Sequence, residues 1–142
     1  MKRIIIMLAA LAALAVPATA SAQGYWTSNH FYSPSRHTEC RFKPATYPYA
    51  YIACENFDTR QVAVIYQRGK AVNVVDDIGA ARRMFDRWGA GPTLEYGQTY
   101  KSGAGLRCYA QTNADSASPA MECWSTYSGH GFLINRYGIR RF

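Results

Sequence analysis

Three histidines, four cysteines and nine acidic residues are the groups in this 142-residue chain that could move a proton, hold a metal or attack a bond. His130 is the most conspicuous, standing between Gly129 and Gly131 in the closing stretch YSGHGFLINRYGIRRF, residues 127–142. Bare flanks let a ligand approach an imidazole closely, and a ring that titrates near neutrality can serve as a base. A general base also needs an orienting group and a substrate pocket. The neighbouring residues name neither, so the spacing favours a turn histidine. The same tail carries Arg136, Arg140 and Arg141 around Tyr137 and Phe142. Together with His130 these arginines are the candidate binding residues, a cation-bearing aromatic patch for an anionic polymer or a partner protein. The competing arrangement sends Phe142 into the core and leaves the arginines in water, and it is the favoured one.

Other chemistries find less support. A serine nucleophile lacks its frame, because no G-x-S-x-G occurs. His30 and His37 flank FYSPSR, which is not metal-ligand spacing, and no Cys or carboxylate cluster completes a zinc site. No metal or other cofactor is expected. Asp76-Asp77 reads as a helix cap rather than a metal pair. Paired carboxylates for glycoside cleavage could assemble from Glu39, Glu55, Asp86, Glu95 or Glu122, but nothing in the sequence selects two. The runs WGAGP, SGAGL and SGHGF precede strand-like segments and not helices, so they are turn glycines and not phosphate cradles.

The segments around these residues set their context. Lys2 and Arg3 precede an apolar run from Ile4 to Val16, Pro17 breaks it, and Ala20-Ser21-Ala22 offers small residues at a cleavage site. That pattern predicts a secretory signal peptide over 1–22, too short for a membrane anchor, and a single domain over 23–142. Removing it takes away Lys2 and Arg3 and lowers the formal charge from +7 to +5. Such an excess outside the cytoplasm points to anionic envelope polymers or lipid head groups rather than nucleic acid, although a solvated basic surface that keeps a small protein soluble is the favoured reading. An even number of cysteines in an exported chain predicts disulfides, with three possible connectivities. Spacing favours Cys40–Cys54 and Cys108–Cys123, each closing a loop of about 15 residues and stabilising by roughly 3 kcal/mol.

Tyrosine, phenylalanine and valine give the rest a β texture. Strands are predicted at 38–43, 49–55, 62–67, 71–75, 94–101, 105–110, 120–126 and 131–136, separated by Gly, Pro, Ser and Asn clusters. The fold class is mostly β, a small antiparallel meander or barrel with hairpins stapled by two disulfides. Ile78, Ala81, Phe85 and Trp88 at helical spacing add one short helix near 78–88. No internal repeat is visible.

The stretches FYSPSRHTEC (31–40), GPTLEYG (91–97) and SGHGFLINR (128–136), with a terminal Phe142, resemble a family of small exported bacterial domains known only as a domain of unknown function. That family opens on Phe-x-Ser-Pro-Ser-Gly-Asn-Ile-x-Cys and ends on Thr-Gly-His-Gly-Phe. Here Arg36-His37-Thr38 replaces its Gly-Asn-Ile, and its further cysteine pair is absent between Cys54 and Cys108. The resemblance implies export, disulfides and a β fold, and it assigns no activity. The expected function is a non-enzymatic binding or structural role in the periplasm or outside the cell. The alternatives are an inhibitor of a lysozyme-like hydrolase and a cell-wall hydrolase using His130.

Overall fold

The computed structural model describes residues 29–44, 50–69, 73–75, 91–112 and 119–142. The expected signal peptide and the expected helix near 78–88 lie outside them. The described residues form ten strands and no helix. One antiparallel meander runs β1 (His30–Tyr32), β2 (Thr38–Lys43), β3 (Tyr51–Asn56), β4 (Val62–Tyr66) and β5 (Asn73–Val75). A second runs β6 (Thr99–Lys101), β7 (Leu106–Gln111), β8 (Ala120–Ser125), β9 (Gly131–Asn135) and β10 (Gly138–Arg141). The expected antiparallel β fold thus takes the form of two five-stranded meanders.

Period-two alternation decides which side chains meet. In β7, Leu106, Cys108 and Ala110 are buried while Arg107 is exposed and Tyr109 and Gln111 are half-buried. The inner faces of the sheets close on each other, with β3 and β4 against β8 and β9. Phe31, Phe42, Ile52 and Ile65 from the first sheet share one core with Leu106, Met121, Phe132 and Ile134 from the second. Full burial of side chains this size stabilises by about 1.5–3 kcal/mol each. Phe31 stacks on Tyr100 with centroids 4.6 Å apart, and burial pushes the Tyr100 phenol up to about 12.

Both disulfides take the expected pairing. Cys40 is the cross-strand partner of Cys54, and Cys108 that of Cys123. All four residues are fully buried, and the two bridges meet in the core, with Cys54 Sγ 3.7 Å from Cys123 Sγ.

The sequence displays no repeat, yet the structure contains one. Strands of three, six, six and five residues succeed each other in β1–β4 and again in β6–β9, and the disulfide joins the second strand to the third in both. The turns match bond for bond. Ser33 and Ser102 each bond the first residue of the following strand through backbone N–H and side-chain Oγ. Asn56 N–H donates to the Gln61 carbonyl as Ser125 N–H donates to that of His130. Arg60 and Gly129 occupy the same place in that turn with φ of 61° and 72°. Few residue identities accompany this correspondence, which is why the sequence conceals it: it rests on burial, turn geometry and the cysteines.

Three expectations on strands need correction. β1 and β10 are additional strands, because HFY is too short to alternate visibly and GIRR reads as a basic tail. Of the predicted 94–101, only the last three residues are strand. Glu95 and Gln98 instead close a turn, with Gln98 N–H on the Glu95 carbonyl and Glu95 N–H on the Gln98 side chain.

Candidate binding face and groove

Fixing Cys108, Cys123 and Phe132 inward turns their sequence neighbours outward. Lys101, Arg107, Trp124 and Gly131 line up across β6–β9 as successive partners, and Phe142 completes the row by exchanging two backbone hydrogen bonds with Gly131. The adjacent outward row is Thr99, Tyr109, Glu122, Leu133 and Arg140. The outer face of the second sheet thus holds three aromatic rings and three cations around one carboxylate. Trp124, Tyr109 and Leu133 are only half-buried, and Arg107, Lys101 and Arg140 are exposed.

Phe142 does not plug the core, contrary to the favoured reading. It is 48% exposed, and its ring covers Gly131, where a β-carbon would come within 2.6 Å of it. The glycine leaves room on the sheet for the ring of the neighbouring edge residue.

The four candidate binding residues do not converge. Arg140 joins the outer face. Arg141 pairs with Phe132 and so belongs to the opposite face at the sheet edge. His130 and Arg136 flank the two ends of β9, roughly 20 Å apart at strand rise. Arg136 stacks on Tyr137 and donates to its hydroxyl at 2.7 Å. His130 is held through its backbone, its N–H on Ser128 Oγ and its carbonyl on Ser125 N–H. Gly129 beside it has the positive φ of a turn residue.

The corresponding face of the first sheet differs in both charge and cover. Its rows are His30, Arg41, Ala53 and Val64, then Tyr32, Glu39, Glu55 and Val62, and at the other end exposed Lys43 with half-buried Tyr51 and Tyr66. Ala53, Val62 and Val64 form a second apolar cluster, each at most 2% exposed. His30 Nε2 lies 2.5 Å from Glu39 Oε1, both largely buried. Burial, then the Glu39 charge, raises the Tyr32 phenol above its ordinary value. Of the five carboxylates considered for glycoside cleavage, the fold sets Glu39 and Glu55 directly opposite each other. Glu95 and Glu122 lie elsewhere, and Asp86 is outside the described residues.

A groove of about 230 Å³ opens at one end of the sandwich, between the β1–β2 turn and the facing ends of β8 and β9. Ser33, Ser35, His37 and Arg136 line it over a floor that includes Met121 and Ile134. His37 Nδ1 is 2.9 Å from Asp58 Oδ2, which fixes the ring while leaving it about half exposed. Sequence reading missed this pair, because Asp58 reaches His37 only through the β2–β3 register that sets Thr38 opposite Asn56. The Trp124–Arg107 row was legible in principle, since an inward cysteine in LRCYAQ and MECWS dictates its outward neighbours. Among the described residues, the cysteine sulfurs are the one gathering of three or more metal-ligand atoms, and disulfides occupy them all. No helix among these residues is long and apolar enough to cross a membrane.

No family model matches the chain, and no curated protein or solved structure matches it either.

Proposed function

We propose that this is an exported, disulfide-stabilised domain with a non-enzymatic binding role in the cell envelope, and that it contacts anionic polymer through the outer face of β6–β10. The observation that carries this reading is the contrast between the two repeats. The outward aliphatic residues Ala53, Val62 and Val64 of the first sheet are buried beside half-buried Tyr51 and Tyr66, whereas the equivalent face of the second sets half-buried Trp124 and Tyr109 and a 48% exposed Phe142 among exposed Lys101, Arg107 and Arg140. Flat aromatic surface stacks on sugar rings and cations pair with acidic groups, so the face suits an acidic glycan. The motif resemblance to small exported bacterial domains points the same way on location.

Retention of the mature protein on purified peptidoglycan or anionic polysaccharide tests the reading. Binding should weaken as salt rises from 50 to 500 mM, on the order of the range over which screening shortens to a few ångströms. Trp124→Ala and Arg107→Ala should each weaken it about tenfold, in the range of a buried aromatic or arginine contact. Salt-independent retention, or retention unchanged in both variants, would remove this face from the function. The hydrolase reading draws no support from His130, whose ring has no carboxylate partner among the described residues, and the inhibitor reading rests on no observed feature.

A further inference from the structure

The repeat supplies an internal control for the groove. In the second module the turn between β6 and β7 runs Ser102-Gly103-Ala104-Gly105 and leads straight into Leu106. In the first, Ser33-Pro34-Ser35-Arg36 is followed by one additional residue before Thr38, and that residue is His37. Arg36 and Gly105 match, each with positive φ and its N–H on the carbonyl of the turn's serine. His37 therefore has no counterpart. The partner turn diverges with it: Tyr127 stands where the first module has Asp58, and its ring lies against Gly105. One module thus closes this position with an aromatic ring on a glycine. The other inserts a histidine, anchors it with a carboxylate and leaves a groove beside it.

We propose that this groove is a second ligand site, distinct from the aromatic face, and that it takes a small carboxylate. The donors are right for an anion. Asp58 holds the His37 ring at Nδ1, so Nε2 carries an N–H for a carboxylate in the doubly protonated ring. Arg136 borders the groove; one nitrogen of its guanidinium donates to the Tyr137 hydroxyl, and its remaining N–H groups suit a carboxylate. Ser35 adds an exposed hydroxyl. The apolar border sets the other half of the ligand: Pro119 and the edge of Ala120 accept a short apolar body, above the buried side chains of Met121 and Ile134. At about 230 Å³ the space falls below the 300–1,000 Å³ typical of drug-sized pockets. It fits something the size of one amino acid. Both modules contribute walls, so the site exists only in the assembled sandwich.

A C-terminal alanine carboxylate has this chemistry, and two sources offer it, the D-alanine ends of cell-wall peptides and the L-residue ends of proteins. The test is amide NMR on the intact mature protein, titrated with N-acetyl-D-alanine, N-acetyl-L-alanine and the amide of each. A saturable shift of the amides of Ser35, His37, Ala120 and Arg136 with either acid, and not with the amides, is the expected result; the preferred enantiomer identifies the source. His37→Gln and Arg136→Ala should each weaken it at least tenfold, while Arg140→Ala on the aromatic face should leave it unchanged. Shifts that fail to saturate, that the amides reproduce, or that survive both groove variants would overturn the proposal. Because Arg140 and the groove residues are tested separately, loss of polymer retention and loss of carboxylate binding report on different surfaces.

Discussion

At the residue scale, the Gly-His-Gly stretch places both of its glycines where a side chain would cost stability. The two differ in kind. Gly129 has a φ of 72° with nothing near its missing β-carbon, and the equivalent turn of the first module accepts Arg60 at 61°. A side chain at 129 therefore meets backbone strain alone, worth about 1–2 kcal/mol. Gly131 has ordinary backbone, but a β-carbon there would approach the Cys123 carbonyl to 2.5 Å and the Phe142 ring to 2.6 Å. Both neighbours are held, one in the β8 ladder and the other by paired backbone bonds to Gly131 itself. Gly131→Ala should lose about 1–3 kcal/mol by overpacking, Gly129→Ala about 1 kcal/mol, and His130→Ala less than about 0.5 kcal/mol. Urea unfolding of the three variants gives the order directly, and a His130→Ala loss equal to that of Gly131→Ala would contradict it.

At the scale of elements, the β3–β4 and β8–β9 turns also lock the two sheets together. Fully buried Asn56 accepts the N–H groups of Asp58 and Thr59 on Oδ1 and donates Nδ2 across to the Asn135 carbonyl of the other sheet. Ser125 is its counterpart, taking Tyr127 and Ser128 N–H on Oγ and donating at 2.5 Å to the Gln67 carbonyl. Removing either side chain strands several polar groups, so Asn56→Ala and Ser125→Ala should each destabilise by about 1–3 kcal/mol. Asn56→Asp should be worse than Asn56→Ala, since it keeps the turn acceptor but aims carboxylate charge at the Asn135 carbonyl. Denaturant midpoints of the three variants check this; an Asn56→Asp variant as stable as wild type would mean that the cross-sheet bond contributes nothing. Such polar clasps explain the limits of the sequence. Alternation, turn residues and cysteine spacing reveal strands and bridges because those signals are local. The partnership of Asn56 with Asn135, or of His37 with Asp58, depends on register and sheet packing, which no short window contains. The repeat stays hidden for the same reason, as what its two copies share is a pattern of bonds and burial carried by different residues. β1 and β10 escape because a three-residue strand and a strand ending in two arginines have no core stripe of their own.

For the molecule as a whole, the meeting of the two disulfides determines how the chain must be oxidised. All four sulfur ligand atoms lie within 4.8 Å of one another, with Cys54 and Cys123 the contacting pair across the sheets. A sandwich that has already collapsed with free thiols therefore has a choice of partners, and proximity no longer selects the right one. The separations of 14 and 15 residues do select it, provided that each bridge closes while its own meander is the only structure present. Removing one cysteine should expose the ambiguity. In Cys40→Ser, the Cys54 thiolate can attack Cys123, forming Cys54–Cys123 and releasing Cys108 as the thiolate. Non-reducing peptide mapping should find that cross-sheet peptide with Cys108 alkylated. Finding Cys108–Cys123 intact and Cys54 as the modified thiol would show that the native bridge resists its neighbour. The wild-type chain meets the same hazard as a matter of timing. Synthesis delivers residues 40 and 54 well before 108 and 123, so early oxidation closes the first bridge before a competing thiol exists. Late oxidation hands four equivalent thiols to chance. The order in which the chain emerges is thereby part of the information that specifies its final covalent state.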